Sequence, residues 1–334
     1  MFNILMYVGY PLDYAQGGHK DQILNTINQL EKIGLNIEWL HNEKQNLRKK
    51  YEIVHFWTYP NVSTIESIRS KLNSKIVWST MLPTAGSRSK SKTRILDLAV
   101  KLGRKFKHPK VQSIFPNYNN IDRIIVLNEL EKRHFVDIWQ VSEEKISVIP
   151  NGIDDIYFNE NIQSSSFDGV IQVGAITQIK NSIEVAKAAK LANLKLKFIG
   201  DFRLEDQNYR DEFLKEIDNI NIFWEGPKYN KLELASHIKG CLGIIQPSKW
   251  ESYPLVVTEA LALKQKVLLT DSPNLRHIYK DNVFYCNQPN KAIFVKELYE
   301  FAKNRNRKEI TFKALTWGEV ASMVFKEYKK LLGY

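Results

Sequence analysis

Cysteine is nearly absent from this chain of 334 residues, with Cys241 and Cys286 its only two. Each lies on or beside an apolar, strand-like segment without metal-ligand spacing, so they read as buried thiols in a reducing compartment. Long hydrophobic runs are also missing. None approaches the roughly 20 residues that a bilayer span requires, which excludes an integral helical membrane protein. Met1 leads directly into the strand-like Phe2 to Val8, with no basic region before a long apolar stretch and no small-residue cleavage site, arguing against a secretory signal. Clustered aspartates that would hold a divalent metal are absent, as are internal repeats beyond two similar halves. Acidic residues are the minority charge, 37 Asp and Glu against 48 Lys and Arg, leaving a net charge of +11. That excess points to an anionic partner, whether a nucleotide, a lipid headgroup or a nucleic acid. No helix-turn-helix, zinc-ligand spacing or ribonucleoprotein-type aromatic strand accompanies the basic residues, so specific nucleic-acid recognition is unsupported. A cytoplasmic protein is expected.

Hydrophobic residues make up 43% and charged residues 25% of the chain, the balance of a soluble globular protein with length for two domains. Apolar, strand-like segments occur at Phe2 to Val8, Asn36 to Leu40, Ile53 to Trp57, Lys75 to Ser79, Arg123 to Leu127 and Lys145 to Ile149. Helical patterns lie between several of them, such as Ser63 to Leu72 and Asn128 to Trp139. A second series follows at Val170 to Val173, Leu196 to Ile199, Ile220 to Trp224, Leu242 to Ile245, Val267 to Leu269 and Val283 to Tyr285. Strands alternating with helices predict two parallel, doubly wound sheets. The run Thr316 to Leu332 is helical, with Val320, Met323, Val324, Tyr328, Leu331 and Leu332 on one side.

The most basic stretch runs from Arg88 to Lys110 and holds Arg88, Lys90, Lys92, Arg94, Lys101, Arg104 and Lys105 among its cations, against the single acid Asp97. Ile95, Leu98, Ala99, Leu102 and Phe106 recur within it at helical spacing, which predicts an amphipathic helix with a cationic face. Such helices bind anionic membrane surfaces; the plainer alternative is a core-facing helix with a solvated basic side.

Three further places carry candidate chemistry. Gly17 and Gly18 precede a helical pattern (Ile23, Ile27, Leu30, Ile33), and paired glycines there let backbone amides approach a ligand. His55 stands near the C-terminal end of an apolar strand, the edge from which active-site groups of such sheets project; the alternative is a satisfied structural histidine. Gln246 to Asp271 reads as strand, loop, helix and strand, with Glu251 in the loop and Glu259 about one turn into the helix, either side of the helix N-terminal amides where an anion docks. Asn181, after the loop that opens the second series, is placed to cap the next helix with Glu184 as its capping-box partner. The Asn151-Gly152 pair predicts a turn with positive φ, and the polar stretch from Asn159 to Ser166 reads as a linker.

The segment Gln246 to Ala260 resembles the E-x7-E signature of retaining GT-B glycosyltransferases of the large GT4 family. Val148-Ile149-Pro150-Asn151-Gly152-Ile153-Asp154 resembles the Val-Ile-Pro-Asn-Gly-Val-Asp junction of the same enzymes. The resemblance implies an α/β GT-B fold of two doubly wound Rossmann-like domains facing across a cleft, residues 1–155 on the acceptor side and 156–315 on the donor side, with a C-terminal helix (316–334) crossing back to the first domain. It implies retaining transfer of a sugar from a nucleotide-diphosphate sugar to a glycan or lipid-linked acceptor, in surface polysaccharide or glycolipid assembly, at the inner face of the membrane and with no metal or other cofactor. Glu259 is then expected on the ribose hydroxyls and Glu251 against the donor sugar, with His55 as a catalytic candidate. Gly17, Gly18, Lys180, Ser252, Tyr253, Pro254 and Leu255 are expected about the donor, and Lys249 beside its phosphates.

Two positions depart from the family pattern. Trp78-Ser79-Thr80-Met81-Leu82-Pro83 lacks the usual histidine, and Ala175 stands where an arginine is expected. A non-catalytic GT-B subunit that serves an active partner is the alternative these departures motivate. The retained Glu251, Glu259 and Lys180 speak for an enzyme.

Overall fold

The structure is a computed structural model. It describes residues 2–10, 17–40, 50–60, 62–80, 90–106, 108, 118, 120–202, 206–304 and 309–334, with the side chains of the helix over 90–105 described from residue 95 onward. The chain divides into two compact units, Met1–Gly152 with Trp317–Tyr334, and Ile153–Thr316. The expected α/β class is what the chain adopts.

In the first unit the order is β1 (Asn3–Tyr7), α1 (Gly18–Lys32), β2 (Asn36–Trp39), β3 (Ile53–Phe56), α2 (Val62–Leu72), β4 (Lys75–Ser79), α3 (Lys90–Lys105), β5 (Arg123–Val126), α4 (Glu129–Asp137) and β6 (Ile146–Val148). The six strands form one parallel sheet in the order β2-β1-β3-β4-β5-β6. Its inner strands read as apolar runs, interrupted in β3 by His55, because helices cover both faces. Leu5, Val54, Phe56, Ile76, Trp78, Ile124 and Val126 pack with Val100, Phe135 and Trp139 on one of them. Asn128 caps α4, its side chain accepting from the amides of Leu130 and Glu131.

A two-residue strand, β7 (Gly152–Ile153), leads into the second unit. Neither Asn151 nor Gly152 has positive φ, so the expected turn is not there: the backbone runs on in extended form into β7. Then come β8 (Val170–Val173), α5 (Ser182–Leu191), β9 (Leu196–Ile199), α6 (Gln207–Leu214), β10 (Ile222–Trp224), α7 (Lys231–Lys239), β11 (Gly243–Gln246), α8 (Leu255–Ala262), β12 (Val267–Thr270), α9 (Pro273–Tyr279), β13 (Phe284–Cys286), α10 (Ile293–Lys303) and β14 (Leu315–Thr316). The six longer strands β8 to β13 form a second parallel sheet, in the order β10-β9-β8-β11-β12-β13.

Two expectations for this half change. Strand β10 starts at Ile222 rather than Ile220, because the Asp218 carboxylate accepts from the amides of Ile220, Asn221 and Ile222 and turns the chain there. The stretch 159–166 is no free linker, since Ser165 lies against Ser236 of α7, its amide donating to the Ser236 hydroxyl at 3.0 Å.

The chain closes with α11 (Trp317–Leu332), which belongs to the first unit. Its Val320, Val324 and Tyr328 are buried, and its Glu327 accepts from Ser147 of β6 at 2.8 Å.

Candidate active site

In a doubly wound sheet the ligand crevice lies at the C-terminal ends of the strands where the order reverses. In the second unit that point falls between β8 and β11, and the two loops that leave it there are the ones carrying Lys180 and Glu251. The first loop opens at Gly174, whose φ of +134° favours glycine, and ends in a single 3-10 turn over Gln178–Lys180. Thr177 caps that turn by accepting from the Lys180 amide. A side chain at Gly200, after β9, would place its first carbon 1.9 Å from the Gly174 carbonyl oxygen, so both strand ends must stay bare for the loop to sit where it does.

Backbone and amide groups stitch the two loops together. The Lys249 amide donates to the Ile179 carbonyl at 2.8 Å. Gln172 of β8 donates from Nε2 to the Lys180 carbonyl at 2.8 Å. Asn181 donates from Nδ2 to the Pro247 carbonyl at 2.6 Å and to Gln288 Oε1 at 2.9 Å. Asn181 therefore does not cap α5 as expected: it adopts left-handed φ and ψ, and its side chain is spent on the neighbouring loop. Thr270 and Gln288 both donate to the Ser248 carbonyl, at 2.8 and 3.2 Å, fixing the second loop from the far side.

Glu251 is the focus of this framework. Its Oε1 accepts from Ser248 Oγ at 2.7 Å and from Gln246 Nε2 at 3.1 Å, and it forms an ion pair with Lys180 Nζ. Burial alone would push the carboxyl up, but the Lys180 charge and the three hydrogen bonds outweigh it and hold Glu251 below its ordinary value. Behind it, Asn274 of α9 donates from Nδ2 to the carbonyls of Glu251 and Ser252, at 3.1 and 2.7 Å. With those carbonyls held back, the chain turns into α8 through Tyr253 and Pro254. No side chain caps α8, and while the Val257 amide turns back to the Pro254 carbonyl at 3.2 Å, those of Leu255 and Val256 are left to face an anion. The Ser252 hydroxyl is buried without a hydrogen-bond partner among the described residues. Glu259, also buried, stands one turn into α8, on the side of Leu255. Burial pushes the Tyr253 hydroxyl up to about 12.

Of the residues singled out in the sequence, the second unit thus brings together Lys180, Glu251, Ser252, Tyr253, Pro254, Leu255 and Glu259 at one sheet edge. Lys249 is beside them, with its side chain exposed. The supporting Gln246, Ser248, Asn274 and Gln288 escaped sequence reasoning. Ser248 and Gln246 had a readable signal in their place beside Glu251, whereas Asn274 and Gln288 lie on other elements and had none.

The first unit gives a different answer for its two candidates. Gly17, with φ of +94°, begins α1 at the corresponding reversal between β1 and β3, and both Gly17 and Gly18 are exposed, so backbone approach is open there. His55 is fully enclosed in mid-sheet, flanked by Met6 and Val77. Its Nε2 meets Ser79 Oγ at 2.8 Å and its Nδ1 meets the Tyr328 hydroxyl of α11 at 2.5 Å, while its ring stacks on Trp57. Burial lowers its pKa to about 3, so the ring is neutral and both nitrogens are engaged. The catalytic expectation for His55 gives way to that of a structural histidine.

Arg88 of the basic stretch and the separate Met81 to Pro83 segment lie outside the described residues, as do the side chains of Lys90, Lys92 and Arg94. Arg104 is not part of a free cationic face, because its guanidinium donates to the Trp139 carbonyl and to Gln140 Oε1, both at 2.9 Å. Lys101 pairs with Asp97 at 2.7 Å. Among the described residues no group of three or more His, Cys, Asp or Glu is placed to hold a metal ion, and no helix is long and apolar enough to cross a membrane.

Residues 157–314 match the family model described as glycosyl transferases group 1, and residues 22–156 match that of glycosyltransferase family 4. No curated protein sequence matches the chain. Among solved structures, Anabaena HepE in complex with UDP and glucose superposes with a TM-score of 0.64 at 14% identity, covering 98% of this chain and 99% of its own. A glycosyltransferase from Rickettsia africae gives 0.66 at 14% identity, with 99% and 98% covered. Sucrose-phosphate synthase from Thermosynechococcus elongatus gives 0.66 at 12% identity, with both chains covered completely at 100%. At such identities the likeness is one of fold.

Proposed function

The chain belongs to the group 1 glycosyltransferases of GT-B fold, and from that premise we propose that it transfers a sugar, with retention of configuration, from a nucleotide-diphosphate sugar to a hydroxyl of a glycan or lipid-linked acceptor. The observation that carries the proposal is the convergence of Lys180, the uncapped N-terminus of α8 and two carboxylates at the strand reversal of one sheet. Each part suits one portion of such a donor. Lys180 and the amides of Tyr253 and Leu255 face the diphosphate, with the exposed Lys249 as a second cation where Ala175 leaves the position of the family arginine without charge. Glu259 accepts from the two vicinal ribose hydroxyls. Glu251 orients the sugar.

In the reaction the bond from the anomeric carbon to the diphosphate oxygen breaks, and the diphosphate leaves with the electron pair. A bond to the acceptor oxygen forms on the same face of the sugar, and the acceptor hydroxyl gives its proton to the oxygen of the departing diphosphate. Stabilising the charge that grows on the departing diphosphate is the main contribution of Lys180 and the helix amides. His55 takes no part as a base, since it is enclosed and both its nitrogens are engaged. Work at the inner face of a membrane, in polysaccharide or glycolipid assembly, fits the basic charge of the chain. UDP-glucose is the first donor to try, and UDP the first nucleotide, since Anabaena HepE was solved with each.

The test is a thermal-shift screen of the purified chain against UDP, GDP, ADP and their sugars, followed by an assay of donor hydrolysis. A ligand that binds the native state raises the melting temperature with its concentration. A shift for one nucleotide series with slow hydrolysis of its sugar is expected. No shift with any donor would reject the proposal.

A further inference from the structure

Helix α3 is turned the wrong way round for a helix of a water-exposed protein surface. Val100 is buried at 1% exposure, with Leu96 beside it against the core of the first unit. On the opposite side Ile95, Leu98, Leu102 and Phe106 are 70, 59, 47 and 74% exposed. At 3.6 residues per turn these four fall within an arc of roughly 80°. Lys101 and Lys105 follow directly along one edge of that arc, both exposed. Meanwhile Arg104 points back to the protein body and bonds Trp139 and Gln140. A charged side chain is thus turned inward while a leucine and a phenylalanine of the same two turns face water. Scattered apolar residues on a surface mean little, but a continuous stripe along one helix marks a surface that something apolar covers.

We propose that this face of α3 seats on an anionic lipid bilayer, with Ile95, Leu98, Leu102 and Phe106 entering the acyl boundary and Lys101 and Lys105 at the headgroups. An apolar stripe with a cationic edge is the arrangement of a helix that lies in the membrane interface. Charge complementarity selects this occupant. A second copy of the chain would bring like charge against like, with +11 on each, and a nucleic acid would leave the apolar stripe in water. The Asp97 carboxylate pairs with Lys101 and tempers its charge, so the apolar residues contribute the larger share. The inference stands on α3 alone and does not depend on the donor site.

The experiment is flotation of the full chain with vesicles of phosphatidylcholine alone and of phosphatidylcholine with about one third phosphatidylglycerol, whose negative surface attracts basic segments. At least tenfold stronger partition to the anionic vesicles is expected, weakening with added salt. Leu98→Gln with Leu102→Gln and Phe106→Gln in one chain should lower that partition tenfold or more, while an unchanged melting temperature shows that the fold is intact. Lys105→Glu should lower it severalfold. Equal partition of the triple variant, or no preference for anionic vesicles, would overturn the proposal. So would concentration-dependent dimerisation in sedimentation that the same triple substitution abolishes, because the stripe would then belong to a second copy.

Discussion

Lys180 and Glu251 hold each other in an ion pair across 71 positions of chain, at the one place in the second sheet where the connections from neighbouring parallel strands lead to opposite sides. The pair ties the two loops together, and under the proposed donor assignment an incoming diphosphate would compete with Glu251 for Lys180.

Replacing Lys180 with Met should therefore have two effects. Donor affinity falls at least tenfold, read by titration calorimetry. Stability at neutral pH drops by about 3 kcal/mol, the low end of the range for a broken buried pair, since Lys180 keeps 23% of its side chain exposed. The pH dependence separates this from simple packing loss. In the native protein the Glu251 carboxyl lies below its ordinary 4.5, so its contribution is present above that value and vanishes as pH falls through the lower folded value. Without Lys180 burial prevails and the carboxyl rises, so the gap in melting temperature between variant and native protein should narrow from pH 7 to pH 4. A gap that stays constant would mean that the ion pair carries no weight.

Glu259→Ala tests the ribose assignment. Losing a charged acceptor for two hydroxyls costs about 1.5–3 kcal/mol, so the donor KM should rise roughly 10- to 100-fold with a much smaller change in kcat. Unchanged donor kinetics would move the nucleotide elsewhere.

Turnover with the preferred donor should be the same after dialysis against a chelator as before it, because Lys180 and the helix amides are assigned the diphosphate charge. Loss of turnover restored by a divalent ion would transfer that role to a metal.

His55→Gln tests a structural group by its titration. The folded pKa near 3 lies below the ordinary 6.5, so the unfolded chain takes up the proton first as pH falls. The stabilisation from His55 is complete above pH 6.5 and shrinks below it, by about 2 kcal/mol at pH 5. The variant should be less stable at pH 7 and should lose less on acidification to pH 5, in denaturant titrations at the two pH values. A slope equal to that of the native protein would exclude His55 as its source.

Much of this fold was legible because its strands are buried on both faces. Runs such as Ile76 to Trp78 or Leu268 to Leu269 announce themselves by composition alone, and Asn128 marked the start of α4. The two glutamates and Lys180 were legible as types and positions. Their meeting was not, since adjacency of β8 and β11 depends on strand order, which no local pattern records. Asn181 misled because an amide side chain serves a cap or a distant carbonyl equally well, and Pro247 and Gln288 are remote in sequence. For α3 the period predicted a helix but not its facing. Ile95, Leu98 and Leu102 would pass for a core stripe, and only the packing of Val100 and Leu96 reverses that reading.

The return of α11 to the first unit has a consequence for biosynthesis. The second unit is continuous in the chain, whereas the first is completed only by residues 317–334. On the ribosome the first sheet emerges early and must wait, with His55 lacking its Tyr328 partner, until the whole second unit has been made. Completion of the first unit therefore follows synthesis of the second, although domains usually fold N-terminal first. Termination just after Thr316 should yield a chain whose second unit is folded and whose first unit is a target for chaperones and proteases.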